Sequence, residues 1–84
     1  MEWKYCKLSN QLSAVYGKNS DGIRPEYVLV VGIDPTQAGH WAGVYEISAH
    51  WGVSLTSGKF CPSVRKAIEW AESFVKSSDN GGAA

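Results

Sequence analysis

One stretch of this chain has a clear period. From Val64 the apolar side chains fall at Val64, Ala67, Ile68, Ala71 and Val75, with Arg65, Lys66, Glu69, Glu72, Ser73 and Lys76 between them. That spacing predicts a helix with a single apolar stripe. Trp70 and Phe74 flank the stripe and widen it, and Arg65–Glu69 and Glu72–Lys76 set opposite charges one turn apart. Pro62 suits a first turn, where its missing N–H has no partner to lose. Of the two candidate caps, Cys61 and Ser63, serine is the better acceptor for the free amides of that turn. The helix is expected to end near Ser77, with residues 78–84, Ser-Asp-Asn-Gly-Gly-Ala-Ala, as a flexible tail. A lone amphipathic helix has nothing to bury its stripe against, so the rest of the chain must supply the opposing surface.

That surface reads as β-sheet. Glu26–Asp34 contains Tyr-Val-Leu-Val-Val-Gly-Ile, rich in β-branched residues and apolar on both faces, as in a central strand covered on both sides or nearly so. Asp34-Pro35-Thr36-Gln37-Ala38-Gly39 is turn chemistry. Trp41–Ser48 follows as a second strand, in which Trp41, Gly43, Tyr45 and Ile47 alternate with Ala42, Val44, Glu46 and Ser48. Trp51–Thr56 is expected to be a third, ending at Ser57-Gly58. The N-terminal residues admit two readings. As strands, Glu2–Leu8 and Gln11–Gly17 form a hairpin turning at Ser9-Asn10; as a helix, Leu8, Leu12, Val15 and Tyr16 share a face behind Ser9. Trp3 and Tyr5 favour the strands. The fold expected is α+β, an antiparallel sheet of three to five strands with the C-terminal helix on one face.

Length and composition bound the function. The 84 residues suffice for one domain, expected over residues 1–77, and 44% hydrophobic with 19% charged residues is a globular balance. Eight basic and eight acidic residues cancel. The two halves balance separately, which argues against a strongly basic nucleic-acid binder and against an acidic mimic of one. No apolar run approaches the ~20 residues of a membrane span. The N-terminus lacks the apolar stretch of a signal peptide, so a cytoplasmic protein is expected. Four Trp, four Tyr and two Phe cannot all be central in so small a body. Some are therefore expected half exposed, either edging the core or forming a contact surface.

The remaining polar residues are the candidates for catalysis or metal binding. Cys6, His40, His50 and Cys61 are scattered, without the paired spacing of a zinc site, and no metal or cofactor is expected. Cys6 and Cys61 are expected as reduced thiols. Phe60-Cys61-Pro62 sets a thiol near a helix start, where the dipole lowers its pKa, but with no base or oxyanion loop in view a buried structural cysteine is expected. Tyr27-Val-Leu-Val-Val-Gly-Ile-Asp-Pro35 resembles the first strand of RNase H-like nucleases and junction resolvases, which presents an Asp to catalytic metal. Asp34 would need Glu46, Glu69 or Glu72 beside it, at spacings that family does not use, so Asp34 is read as a turn residue. No enzyme is expected.

Two further resemblances concern binding. With residues 8–16 helical, the order helix, three strands, helix is similar to the double-stranded-RNA-binding domain. Leu8-Ser-Asn-Gln-Leu-Ser-Ala-Val-Tyr-Gly-Lys18 corresponds to its first helix, and Ser63-Val-Arg-Lys-Ala67 to the start of its last. That resemblance implies phosphate contacts from Arg65 and Lys66. Val64 and Ile68 stand where the family prefers lysine, so the binding implied is weak and salt-sensitive. The short single domain, the Trp-rich strands and the ending Gly58-Lys-Phe-Cys-Pro-Ser-Val-Arg-Lys-Ala-Ile-Glu-Trp-Ala-Glu-Ser-Phe-Val75 resemble the small accessory proteins of phages and prophages. These include anti-CRISPR and other anti-defence inhibitors, many of which act without catalysis by occupying a surface of a larger complex. The function expected is therefore non-enzymatic protein binding, with a host protein or ribonucleoprotein complex as partner and weak RNA binding as the alternative. The partner-binding residues expected are His40, Trp41, His50, Trp51, Arg65 and Lys66, Trp and Arg being the usual anchors of interfaces. Within one extended strand the two His-Trp pairs would lie about 30 Å apart, as separate patches unless the chain turns back after Ser48.

Overall fold

Five strands precede a single helix: β1 (Lys4–Cys6), β2 (Gln11–Tyr16), β3 (Tyr27–Gly32), β4 (His40–Ile47), β5 (Val53–Cys61) and α1 (Val64–Gly81). The structure, a computed structural model, describes residues 1–18, 22–48 and 52–81, with side chains described as far as Ser77. The strands form one antiparallel sheet in the order β1-β2-β3-β4-β5, each paired with its neighbour in sequence. This is the α+β architecture the periodicities predict. It is also the strand reading of the N-terminus: Lys4 pairs with Ser13 and Cys6 with Gln11, around a turn in which Asn10 takes the left-handed conformation (φ 52°). The helix–strands–helix order of the RNA-binding layout is absent, because residues 11–16 are fully paired to β3.

Alternation divides the sheet into two faces. Leu29, Val31, Ala42 and Val44 point toward α1 and are fully buried there. Ala67, Ala71 and Val75, spaced one turn apart, form the line along which the helix rests on them, and all three are fully buried. Small residues in that line let the helix backbone lie close to the strands. Trp70, Val64, Ile68 and Phe74 then close the flanks. Trp3, from before β1, packs on both halves of this core, and its indole N–H donates to Glu72 Oε2 at 2.7 Å, tying the N-terminus to the helix. Ser63 caps α1: its hydroxyl accepts the Lys66 amide at 3.1 Å, and its carbonyl accepts the Ala67 amide at 3.0 Å.

Several boundaries differ from those expected. β5 does not stop at Thr56 but continues to Cys61, carrying Ser57 and Gly58 within the strand. Gly58 lies under the Trp41 ring rather than ending the strand. A β-bulge opposite Val44 and Tyr45 takes up Thr56, so that Val44 faces Ser57 and Tyr45 faces Leu55. The backbone of α1 stays helical to Gly81, beyond the end expected near Ser77, since nothing after Ser77 forbids propagation of a turn already formed. β3 is central, but the helix covers only one of its faces.

Candidate functional site

Among the described residues, no element lies over the face of the sheet away from α1. The registers assign its rows directly. Val15, Val28, Tyr45 and Leu55 are consecutive partners across β2 to β5 and form one row. Ser13, Val30, Gly43 and Gly58 form the next. Trp41 pairs with Phe60 beyond that row, and Ile47 with Val53 on the other side. Val15, Val53, Leu55 and Phe60 are 60%, 63%, 51% and 43% exposed, so this is an apolar surface in contact with solvent. Isolated exposed leucines are ordinary, whereas a contiguous apolar patch on one face is not.

Trp41 organises this face. An ideal Cβ placed on Gly58 would overlap the six-membered ring of its indole, and one on Gly43 would lie 3.0 Å from its Nε1. The ring therefore lies flat over the lane left by two glycines on adjacent strands. It is partly buried, with the sheet backbone beneath it. Phe60 stands beside it, ring centroids 5.2 Å apart and planes at 58°. Such tilted aromatic pairs add about 0.5–1.5 kcal/mol beyond area burial.

The residues singled out from the sequence do not form one site. His40 and Trp41, adjacent in the strand, point to opposite faces. His40 is partly buried on the helix side, where its Nδ1 lies 3.0 Å from the Gly32 carbonyl, an acceptor only, so Nδ1 carries a proton and donates. Arg65 and Lys66 lie on the exposed side of α1, in the other layer from Trp41. Both approach Glu69, at 3.9 and 3.7 Å, which offsets part of their charge. The chain does turn back after Ser48, whose amide donates to Gly52 O at 2.8 Å. His50 and Trp51 lie between those two residues and outside the described residues. Phe60, Leu55, Val53 and Val15 share the face of Trp41 and Tyr45 and were not singled out from the sequence; the bulge at Thr56 hides the register that brings Leu55 and Phe60 onto one face.

The groups weighed for catalysis have other partners or stand apart among the described residues. Asp34 accepts a hydrogen bond from Asn10 Nδ2 at 2.6 Å, and Asn10 Oδ1 accepts from the Tyr5 hydroxyl at 2.7 Å, which braces the turn between β3 and β4 against β1. Glu72 is engaged with Trp3, and Glu69 faces the helix cations. Among the described residues no three His, Cys, Asp or Glu side chains converge as metal ligands would. Cys61 is buried at the end of β5, whereas Cys6 is exposed on β1; both are free thiols. Strands at opposite edges of a five-stranded sheet are about 19 Å apart, which excludes a bond needing Cα atoms within about 7 Å. The Cys6 thiol is held below its ordinary value of 9.0, first by the Ser9 hydroxyl, then by the backbone amides of Ser9 and Leu8. A depression of about 180 Å³ beside β1 and β2, lined by Glu2, Lys4, Ser13, Ala14 and Val15, is smaller than the ~300–1,000 Å³ of most small-molecule sites. No helix among the described residues is long and apolar enough to cross a membrane.

Comparison with protein-family models, with curated proteins and with solved structures gives no match for this chain.

Proposed function

We propose that this protein is a non-enzymatic binding module of the phage accessory kind, an inhibitor that acts in the host cytoplasm by occupying a surface of a larger protein complex. One observation carries the reading: the sheet's bare face is apolar, contiguous and centred on a flat Trp41 with Phe60 beside it. Tryptophan and other aromatics in a desolvated patch are the usual source of interface affinity, and depletion of charge at the centre is the usual composition. On this face the registers leave Lys4 as the one charged side chain within the described strands, at the β1 edge and 3.9 Å from Glu2. The contact set proposed is therefore Trp41 with Phe60, Leu55, Val53, Tyr45 and Val15. His40 faces the helix side of the sheet, and Arg65 and Lys66 lie on α1.

The test is affinity capture from bacterial lysate with the tagged protein, with and without nuclease. The expected result is a protein partner that survives nuclease and moderate salt and is lost with Trp41→Ala, while far-UV circular dichroism is unchanged. Recovery of RNA alone, released at moderate salt, would replace this reading with phosphate binding by Arg65 and Lys66.

A further inference from the structure

The bare face also fits a second copy of the same chain, and we infer that the protein associates with itself through that face as a two-fold, sheet-on-sheet dimer. The inference rests on the reading that this face is the contact surface, and it names what covers the face when no target is present. Three observations point to a copy. The first is charge. An isologous interface sets each group against its own equivalents, so a charged patch repels itself. This face carries Lys4 beside Glu2 at one margin and Glu26, just before β3 and opposite Ile47, at another; the rows between them are neutral.

The second observation is area. The Cα trace measures 37 × 31 × 21 Å, the short dimension being that of two stacked layers. A face of the two longer dimensions is large enough for the ~800 Å² per partner of a standard interface. The third is the thinness of the monomer's own core. Among the described residues nine hydrophobic side chains are buried, and Ala14, Ala42, Ala67 and Ala71 are four of them. The larger side chains Trp41, Tyr45, Leu55 and Phe60 lie outside that core, on the face that a second sheet would cover. Two such faces packed at about 10 Å form the interior of a β-sandwich with a helix on each outer side. A target would then compete with the second copy for the same residues.

Sedimentation equilibrium of the purified protein from about 5 to about 200 µM tests this, because mass action makes association depend on concentration. The expected result is a reversible monomer–dimer equilibrium. Leu55→Lys places an unpaired cation in the interface twice, once per protomer, and is expected to weaken association by at least about tenfold. Val15→Lys, on the far end of the same row and already 60% exposed, gives the same reading if the Leu55 variant does not fold. A wild-type monomer throughout the range would overturn the inference, as would a dimer that both folded variants leave intact. A monomer that still captures a target ends only the dimer; a dimer that captures none ends only the inhibitor reading.

Discussion

Individual residues set the character of this face, and glycine does so twice. Gly58 and Gly43 leave the lane in which the Trp41 ring lies. Gly58→Ala is expected to lift the indole from the sheet, shifting Trp41 emission to the red and costing about 1 kcal/mol, since the ring can rotate away and an extended alanine backbone is unstrained. Gly39 is less forgiving. Its φ is 117°, and an added Cβ would sit 2.5 Å from the Cys61 carbonyl oxygen, which is backbone. Gly39→Ala should destabilise by at least ~2 kcal/mol in urea titration. At Cys6 the prediction concerns pH. Because the Ser9 hydroxyl and nearby amides favour the thiolate, iodoacetamide alkylation should rise with pH through a midpoint below the ordinary 9.0. Ser9→Ala should move that midpoint upward, and buried Cys61 should react only on unfolding.

At the scale of elements, the helix was the most legible part and β5 the least. The stripe Val64, Ala67, Ile68, Ala71 and Val75 and the Ser63 cap are seen in the structure as the period implies. A 3.6-residue period lies within one segment and needs no partner to be read. β5 depends on β4 instead. Ser57-Gly58 looks like a strand end in isolation, and only the register that sets Gly58 under Trp41 shows why glycine belongs inside a strand. The bulge at Thr56 shifts the alternation by one, so Leu55 and Phe60 share a face that simple counting separates. Of the proposed contact set only Trp41 was read from the sequence, because register brings the others beside it from β2, β4 and β5. His40 lies on the opposite face from Trp41 because adjacent residues of a strand point to opposite sides. The element that holds the fold is the contact of α1 with β3 and β4. Leu29→Ala, at a fully buried position between them, should cost about 2–5 kcal/mol, a large share of the ~4–12 kcal/mol expected of a domain this size. Ser63→Ala should cost about 1 kcal/mol through the lost cap.

For the molecule as a whole, the described residues form a two-layer slab, one face of the sheet covered by α1 and the other open among those residues. Everything proposed for its function follows from that asymmetry: whichever protein covers the bare face, a second copy or a target, does so through the same apolar rows. The Leu55→Lys variant therefore should lose both associations together while retaining the helix-side core, which does not touch Leu55's face. The most direct measurement is attenuation of methyl resonances by a soluble paramagnetic probe, recorded dilute, concentrated and with captured target. The methyls of Val15, Val53 and Leu55 are expected to be attenuated in dilute protein and to become protected on association. Those of Leu8 and Ile23, exposed in loops, should stay attenuated throughout. Open-face methyls that remain equally attenuated in all three states, with protection arising on the α1 side instead, would contradict it.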